Sequence, residues 1–201
     1  MSTKNRKAEQ YEHTRRRLLD VAARLFAEQG YAGTGTEEVV RQAGVTRGAL
    51  YYHFRDKRDL FRAVVEDLQQ QALLDVQAAG ATAADPWEGL RAGLHAFLDS
   101  CLEPSVQRIL LIDAPSVLGW AAWRELDAKY GLGLLRAALQ GLMDAGLLEP
   151  QPIDPLAHML LGALGEAGMV IAEAENAQAA RRDVGASLDR LLNGLHAPTS
   201  R

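Results

Sequence analysis

Residues 44–57, Gly-Val-Thr-Arg-Gly-Ala-Leu-Tyr-Tyr-His-Phe-Arg-Asp-Lys, restrict the possible folds more than any other stretch of this chain. Gly44 supplies the positive φ that ends one helix, and Thr46 offers an oxygen to cap the next. The helix so begun is very short and carries Arg47, Tyr51, Tyr52 and His53. A further start follows at once, with Asp56 as its cap and Lys57 in its first turn. Punctuation of this kind commits the region to short helices joined by tight turns.

The flanks keep the helical period. Thr14 is placed to cap a first helix whose apolar face is Leu18, Leu19, Val21, Ala22, Leu25 and Phe26, and which stops at Gly30. The spacing predicts a second helix over 36–43 and a fourth running from Asp56 to about Ala79. Beyond a hinge-like break at 81–86, Asp85 caps a helix that opens on Pro86. Pro104 and Pro115 read as further helix starts, Gly131 and Gly133 as interruptions, and 150–155 as a loop. Two richly apolar helices follow, near 155–174 and 177–195. No alternating strand pattern of useful length is present. The expected fold is all-α: a disordered arm over 1–13, a three-helix head over 14–56, a connecting helix over 57–80, a helical body over 81–195 and a tail over 196–201.

Charge separates the two ends. Through residue 60 there are twelve basic and eight acidic residues, whereas the remainder holds ten basic and eighteen acidic ones. A basic head on an acidic body focuses contact with a polyanion at one end. No apolar run approaches the ~18 residues of a membrane span, and the polar N-terminus lacks a secretory core. The single cysteine, Cys101, excludes an intramolecular disulfide. A cytoplasmic protein is expected.

Cations and phenols crowded onto the first turns of two consecutive helices suit phosphates at fixed spacing, and a helix, tight turn and second helix is the geometry that enters the DNA major groove. Val39, Val40, Ala43, Val45 and Leu50 would pack the two helices together. Arg47 is placed to reach base edges such as guanine O6 and N7. Gly48 and Ala49 keep the surface low, and Tyr52 is placed to touch bases or thymine methyls. Thr36, Tyr51 and His53 suit phosphates, which set register without conveying sequence. Lys57 and Arg58 stand where the helix macrodipole disfavours cations, a conflict that a docked phosphate would resolve. Arg15–Arg17 read first as a solvated face with one candidate phosphate contact; Lys4, Arg6 and Lys7 read as part of the arm.

The stretch from about Arg15 to Leu68 resembles the N-terminal DNA-binding domain of TetR-family transcriptional regulators. The resemblance lies in Leu25-Phe26, Gly30-Tyr31, the run from Val39 to Phe54 and Asp56-Lys57. It implies a homodimer with an all-helical C-terminal ligand-binding domain, released from a palindromic operator by a small molecule. It also implies that Thr36, Tyr51, His53 and Lys57 contact phosphates while Arg47 and Tyr52 face bases. Two positions depart from the pattern: Gly35 replaces the usual Ser/Thr cap, and Glu37 stands where a basic or polar groove contact is common.

The C-terminal half shows no catalytic, metal or cofactor motif: His95, His158 and His196 lack metal spacing, and Asp99–Cys101 has no nucleophile–base pattern. An aromatic-walled cavity for a small-molecule inducer is expected, with Phe97, Cys101, Trp120, Trp123, Glu166 and Met169 as candidates. Glu166 is either a ligand contact or an outward-facing residue. The broad apolar stripes of the last two helices suit pairing of two copies, with packing against the domain's own helices as the rival. The function read from the whole chain is a DNA-binding repressor. An activator, a ligand-independent DNA binder, or a helical enzyme with a non-functional head are the alternatives.

Overall fold

The structure, a computed structural model, describes residues 3–196, with side chains from Arg6 onward. The expected tail beyond His196 and the Lys4 side chain lie outside the described residues. Among the described residues the chain forms α-helices, two stretches of π-helix and an isolated bridge between Leu148 and His196. The all-α expectation holds.

The head consists of α1 (Thr3–Gly33), α2 (Thr36–Ala43), α3 (Arg47–His53) and the start of α4 (Lys57–Ala81). Its boundaries follow local chemistry. Gly44 adopts φ 62°, and the Val45 amide reaches back to the Val40 carbonyl at 3.2 Å, closing α2. Thr46 Oγ1 accepts from the Ala49 amide at 3.1 Å, and an Asp56 carboxylate oxygen accepts from the Asp59 amide at 2.8 Å. Gly35 begins α2 with no side-chain cap. Leu18, Leu19, Ala22, Leu25, Phe26, Val39, Ala43, Leu50, Phe54, Leu60 and Phe61 close the core.

The N-terminal arm differs from expectation, because α1 is helical from Thr3. Lys, Arg, Ala, Glu and Gln dominate residues 4–10 and are strong helix formers. Tyr11 anchors the extension: its ring lies 5.7 Å from that of Tyr52 and 4.2 Å from that of His53. Thr14 is therefore internal rather than a cap, and its hydroxyl donates to the Gln10 carbonyl at 2.9 Å. At the other end Gly30 adopts φ 72° and bends the helix, which resumes to Gly33.

α4 has 25 residues and, at ~1.5 Å per residue, runs some 38 Å from the head through the body. α5 (Pro86–Ser100) packs back along it through glycines: a Cβ on Gly80 would stand 3.1 Å from the Gly89 carbonyl oxygen. A π-helical segment, Val106–Asp113, leads into α6 (Ala114–Leu118). α7 (Trp120–Asp127) continues through π-helical Ala128–Leu132 into α8 (Gly133–Asp144). α9 (Ile153–Glu173) and α10 (Ala177–Asn193) complete the body. Arg181 of α10 ties to α5, donating to Asp99 Oδ1 at 2.6 Å and to the His95 carbonyl at 3.1 Å.

The two π-helical segments qualify the proline and glycine signals. The chain reaches Pro115 already helical, with the Ala114 amide bonded to Ile109, five residues back. In that register residue 115 would donate to the Leu110 carbonyl, but proline has no N–H. The Trp123 indole N–H takes that place at 3.1 Å. Gly131 does not interrupt its helix; it makes room for Leu161, whose Cδ1 would stand 2.9 Å from a Cβ there. α9, at 21 residues, is long and apolar enough by length and composition to cross a bilayer, unlike the sequence expectation. Its Asp154, His158 and Glu166 are spread out and break every continuous apolar run without lowering the average much. In the fold it is a core helix, burying Leu156, Ala157, Leu160, Leu161, Leu164, Gly168 and Ile171.

Trp123→Phe leaves the Leu110 carbonyl buried without a donor. It should lower unfolding free energy by about 1–3 kcal/mol before any loss of packing, as measured by urea denaturation; a change under about 0.5 kcal/mol would assign the indole N–H no role.

Candidate nucleic-acid interface

The exposed side of α3 gathers most of the residues singled out in the sequence. Tyr52 is 75% exposed, Tyr51 is exposed, and Gly48 is open, since a Cβ there would meet only Thr46 Oγ1 at 3.9 Å. Ala49 is half-buried beside them. The Arg47 guanidinium lies over the Tyr51 ring, 5.6 Å from its centroid, and 3.5 Å from Glu37 Oε1. Glu37 thus holds the arginine at the lip of the surface, and a guanine edge would have to outcompete that exposed pair. Thr36, half-buried, occupies the first turn of α2.

His53 sits at the inner edge of this surface. Its Nδ1 is buried without a hydrogen-bond partner, and burial holds the imidazole below its ordinary pKa, with Arg15 acting the same way and Glu12 opposing. The ring is therefore neutral at physiological pH. Arg15 lies over the Phe54 ring at 5.6 Å, and Arg16 pairs with Asp20 at 2.8 Å and Asp67 at 2.7 Å. Arg17 is exposed beside Gly44 at the turn, and among the described residues no carboxylate pairs with it as Asp20 and Asp67 do with Arg16.

Lys57 and Arg58 have different surroundings. Lys57 Nζ lies 4.3 Å from the Tyr31 ring centroid, and burial lowers its pKa from the ordinary ammonium value. Arg58 turns away from the surface: Nε donates to the Val117 carbonyl at 3.1 Å and Nη2 to the Leu118 carbonyl at 2.9 Å. The expectation of a phosphate-facing cation holds no longer for Arg58, because the last carbonyls of α6 offer it a negative helix end. Nearby, the bend at Gly30 turns the Tyr31 amide outward, and it donates to Asp113 Oδ2 at 2.7 Å. Arg108 fills the space over Gly30 and lies 3.4 Å from the same carboxylate oxygen.

Inside the body lies a cavity of about 110 Å³. α4 contributes Gln69, Leu73 and Val76, and the π-helical segment contributes Val106, Leu110 and Leu111. Of the expected residues, Phe97, Cys101 and Trp123 line it. Trp120, Glu166 and Met169 do not. Trp120 is 65% exposed and stacks against Trp123 at 4.8 Å, so the i, i+3 pair points one ring inward and one outward. Glu166 is exposed, and Met169 packs half-buried against the core away from the cavity.

Residues 18–64 match the family model described as "Bacterial regulatory proteins, tetR family", and residues 87–195 match "Tetracyclin repressor-like, C-terminal domain". A crystal structure of a TetR-family transcriptional regulator from Pectobacterium atrosepticum is 38% identical, with a TM-score of 0.85 over 94% of this chain and 97% of that one. The transposon Tn10 TetC protein of Escherichia coli is 27% identical over 163 residues, 81% of this chain and 82% of its own length. The HTH-type transcriptional regulator AcrR of Shigella flexneri is 39% identical over 102 residues, 50% of this chain and about half, 47%, of AcrR. The chain belongs to the TetR family. It is a helix-turn-helix, DNA-binding transcriptional regulator.

In this TetR-family regulator, three residues beside the interface or the cavity, Tyr11, Gln69 and Asp127, carry no signal picked out in the sequence. Arg58 has a different role from the one its position suggests. Tyr11 lay in a stretch read as disordered. Arg58 was grouped with Lys57 by adjacency, although consecutive helical residues point about 100° apart. Gln69 and Asp127 both line the cavity, and a helical wheel would have found them: Gln69 shares a face with Val65, Ala72 and Val76, and Asp127 with Trp123, Tyr130 and Leu134.

Asp127 is pushed up to about 6 by burial, with Arg124 opposing. An acid with a folded value above its unfolded value of about 3.9 keeps its proton longer in the folded state, so its contribution to stability falls as pH rises from about 4 to about 6 and stays reduced above. Asp127→Asn removes this titration. The variant's stability relative to the parent should rise by roughly 2–3 kcal/mol between about pH 4 and about pH 7, read from melting temperature against pH. A difference that does not change with pH would contradict the assignment.

Proposed function

We propose that this regulator is a cytoplasmic repressor that sits on a palindromic operator as a dimer and leaves it when a small molecule fills the body cavity. One observation carries the proposal: α4 is a single helix whose first turn belongs to the head and whose later turns wall the cavity. The π-helical segment makes the same connection by a second route, since Leu110 and Leu111 line the cavity while Asp113 holds the Tyr31 amide. A ligand that moves either wall therefore bears on the head's orientation.

Thr36, Tyr51, His53 and Lys57, in this reading, fix register on phosphates, and Arg47 and Tyr52 face bases over the low surface of Gly48 and Ala49. Lys57 reaches its phosphate from over the face of the Tyr31 ring. The dimer forms through α9 and α10. Met159, Ala163 and Val170 lie exposed on one side of α9, and Leu191 is exposed on α10; an apolar stripe of this kind is normally covered in the working assembly. Two-fold symmetry then sets the recognition helices about one DNA turn apart, ~34–36 Å. The inducer acts through its different affinity for the operator-competent and incompetent arrangements.

Arg47→Ala should weaken binding to the operator by ~10-fold or more while leaving non-specific duplex affinity nearly unchanged, because a bidentate base contact is worth ~1–3 kcal/mol of discrimination. Lys57→Ala should weaken all duplexes alike and reduce the slope of log affinity against log salt by about one phosphate contact per protomer. Fluorescence anisotropy at several salt concentrations separates the two; identical behaviour of both variants would refute the division of roles.

A further inference from the structure

Two side-chain oxygens on the cavity wall are shut off from solvent and have no hydrogen-bond partner: Gln69 Oε1 on α4 and Asp127 Oδ2 at the end of α7. The nearest cation to Asp127, Arg124 Nη1, stands 3.6 Å away, outside hydrogen-bonding reach. Two other polar groups on the wall are engaged. The Ser100 hydroxyl donates to the Phe97 carbonyl at 2.7 Å, and the Trp123 indole N–H donates to Leu110. The Cys101 thiol is buried against Gly168, its pKa pushed up to about 12 by that burial. The wall therefore sets two unsatisfied acceptors just beneath an apolar surface that also carries the rings of Phe97, Trp123 and Tyr130.

This pattern discriminates among ligand chemistries. A hydrocarbon would leave both oxygens unpaired. A carboxylate or phosphate would be repelled by the Asp127 carboxylate, whatever the Gln69 amide or the Tyr130 hydroxyl donated to it. A neutral alcohol would satisfy an acceptor but add no countercharge beyond the long ion pair to Arg124. A cation with N–H groups supplies donors and countercharge together and is attracted to aromatic faces. The volume, about 110 Å³, is of the order of the ~150 Å³ cavity that takes up benzene, which suits a body of about one ring.

We propose that the effector cavity is built for a small organic amine, bound as its ammonium ion. Its N–H donors satisfy Asp127 and Gln69, and its one-ring apolar body lies among Leu94, Phe97, Leu110 and Leu164. The assignment names the ligand class of the cavity proposed above as the effector site and rests on that reading for its biological role alone.

Isothermal titration of the full-length protein with benzylamine, benzyl alcohol and benzoate tests the assignment at nearly constant size and shape. Benzylamine should bind at least 10-fold more tightly than the other two. Asp127→Asn should weaken benzylamine by at least 10-fold and benzyl alcohol by less than threefold, and Gln69→Leu should weaken benzylamine by about threefold or more. Gly165→Leu offers a second check, because Gly165 lines the cavity and a Cβ there meets nothing within 4 Å; the larger side chain should abolish benzylamine binding. The proposal is overturned if benzylamine fails to bind, if either companion matches it, if Asp127→Asn leaves its affinity unchanged, or if it still binds Gly165→Leu. Operator release, followed in parallel, keeps the two readings apart. Cavity binding without release upholds the amine assignment and sinks the effector role, whereas release by a neutral or anionic compound that occupies the cavity does the reverse.

Discussion

The joint between head and body depends on backbone groups that helix ends leave unpaired. At Gly30 a positive φ breaks α1 and frees the Tyr31 amide, which Asp113 accepts at 2.7 Å. α6 ends at Gly119, φ 83°, so its last carbonyls have no helical partner, and Arg58 takes two of them. A guanidinium at a helix C-terminus gains from the macrodipole as well as from the hydrogen bonds. A few directional bonds thus hold the DNA-reading end against the cavity wall. The apolar core runs on from head into body beside them, so these bonds fix the register of the joint rather than supply all of its strength. Beside the Arg58 contact lies a polar hollow of about 90 Å³ lined by Arg55, Arg58, Arg62, Asp56 and Asp59, with Leu118, Ala122 and Leu126 also on its wall.

The cavity carries the opposite bias. Its walls are shared by α4, α5, the π-helical segment, α7 and α9, so it sits where most of the body's helices meet. Two unpaired oxygens and an empty volume there destabilise the unliganded state; a ligand that satisfies both would recover that free energy on binding. Local violations of packing and hydrogen-bonding rules are expected where function overrides stability. The π-helical segment belongs with them, since π-turns interrupt regular helical bonding and recur at functional sites. Here the irregularity is held in register by one side chain, Trp123, which also lines the cavity.

How far the sequence revealed this depended on the range of the interactions involved. Gly44, Thr46, Asp56 and Asp85 act within three or four residues, and the helix ends they signal formed where expected. The reader surface was legible for the same reason, because Arg47, Gly48, Tyr51 and Tyr52 share one short helix. Arg58 was not, since its partners lie 59 and 60 residues away. Phe97, Cys101 and Trp123 were recognised as cavity residues from aromatic and apolar character, yet the same criterion drew in Trp120, which faces outward. Pro115 does fall in the first turn of α6, as a helix start should, but the chain reaches it already helical in the wider π register, which nothing local in the sequence signals.

The coupling itself is open to one direct measurement. Nitroxide labels at Gly48→Cys in both protomers report the separation of the heads by pulsed electron–electron resonance, and the buried native Cys101, its thiol pushed up to about 12, stays unlabelled. If the joint sets head orientation, the dimer should give one narrow distance that Arg58→Ala broadens or shifts, in the absence of DNA or any ligand. A distribution unchanged by Arg58→Ala would show that the head is positioned by something other than its bonds to α6.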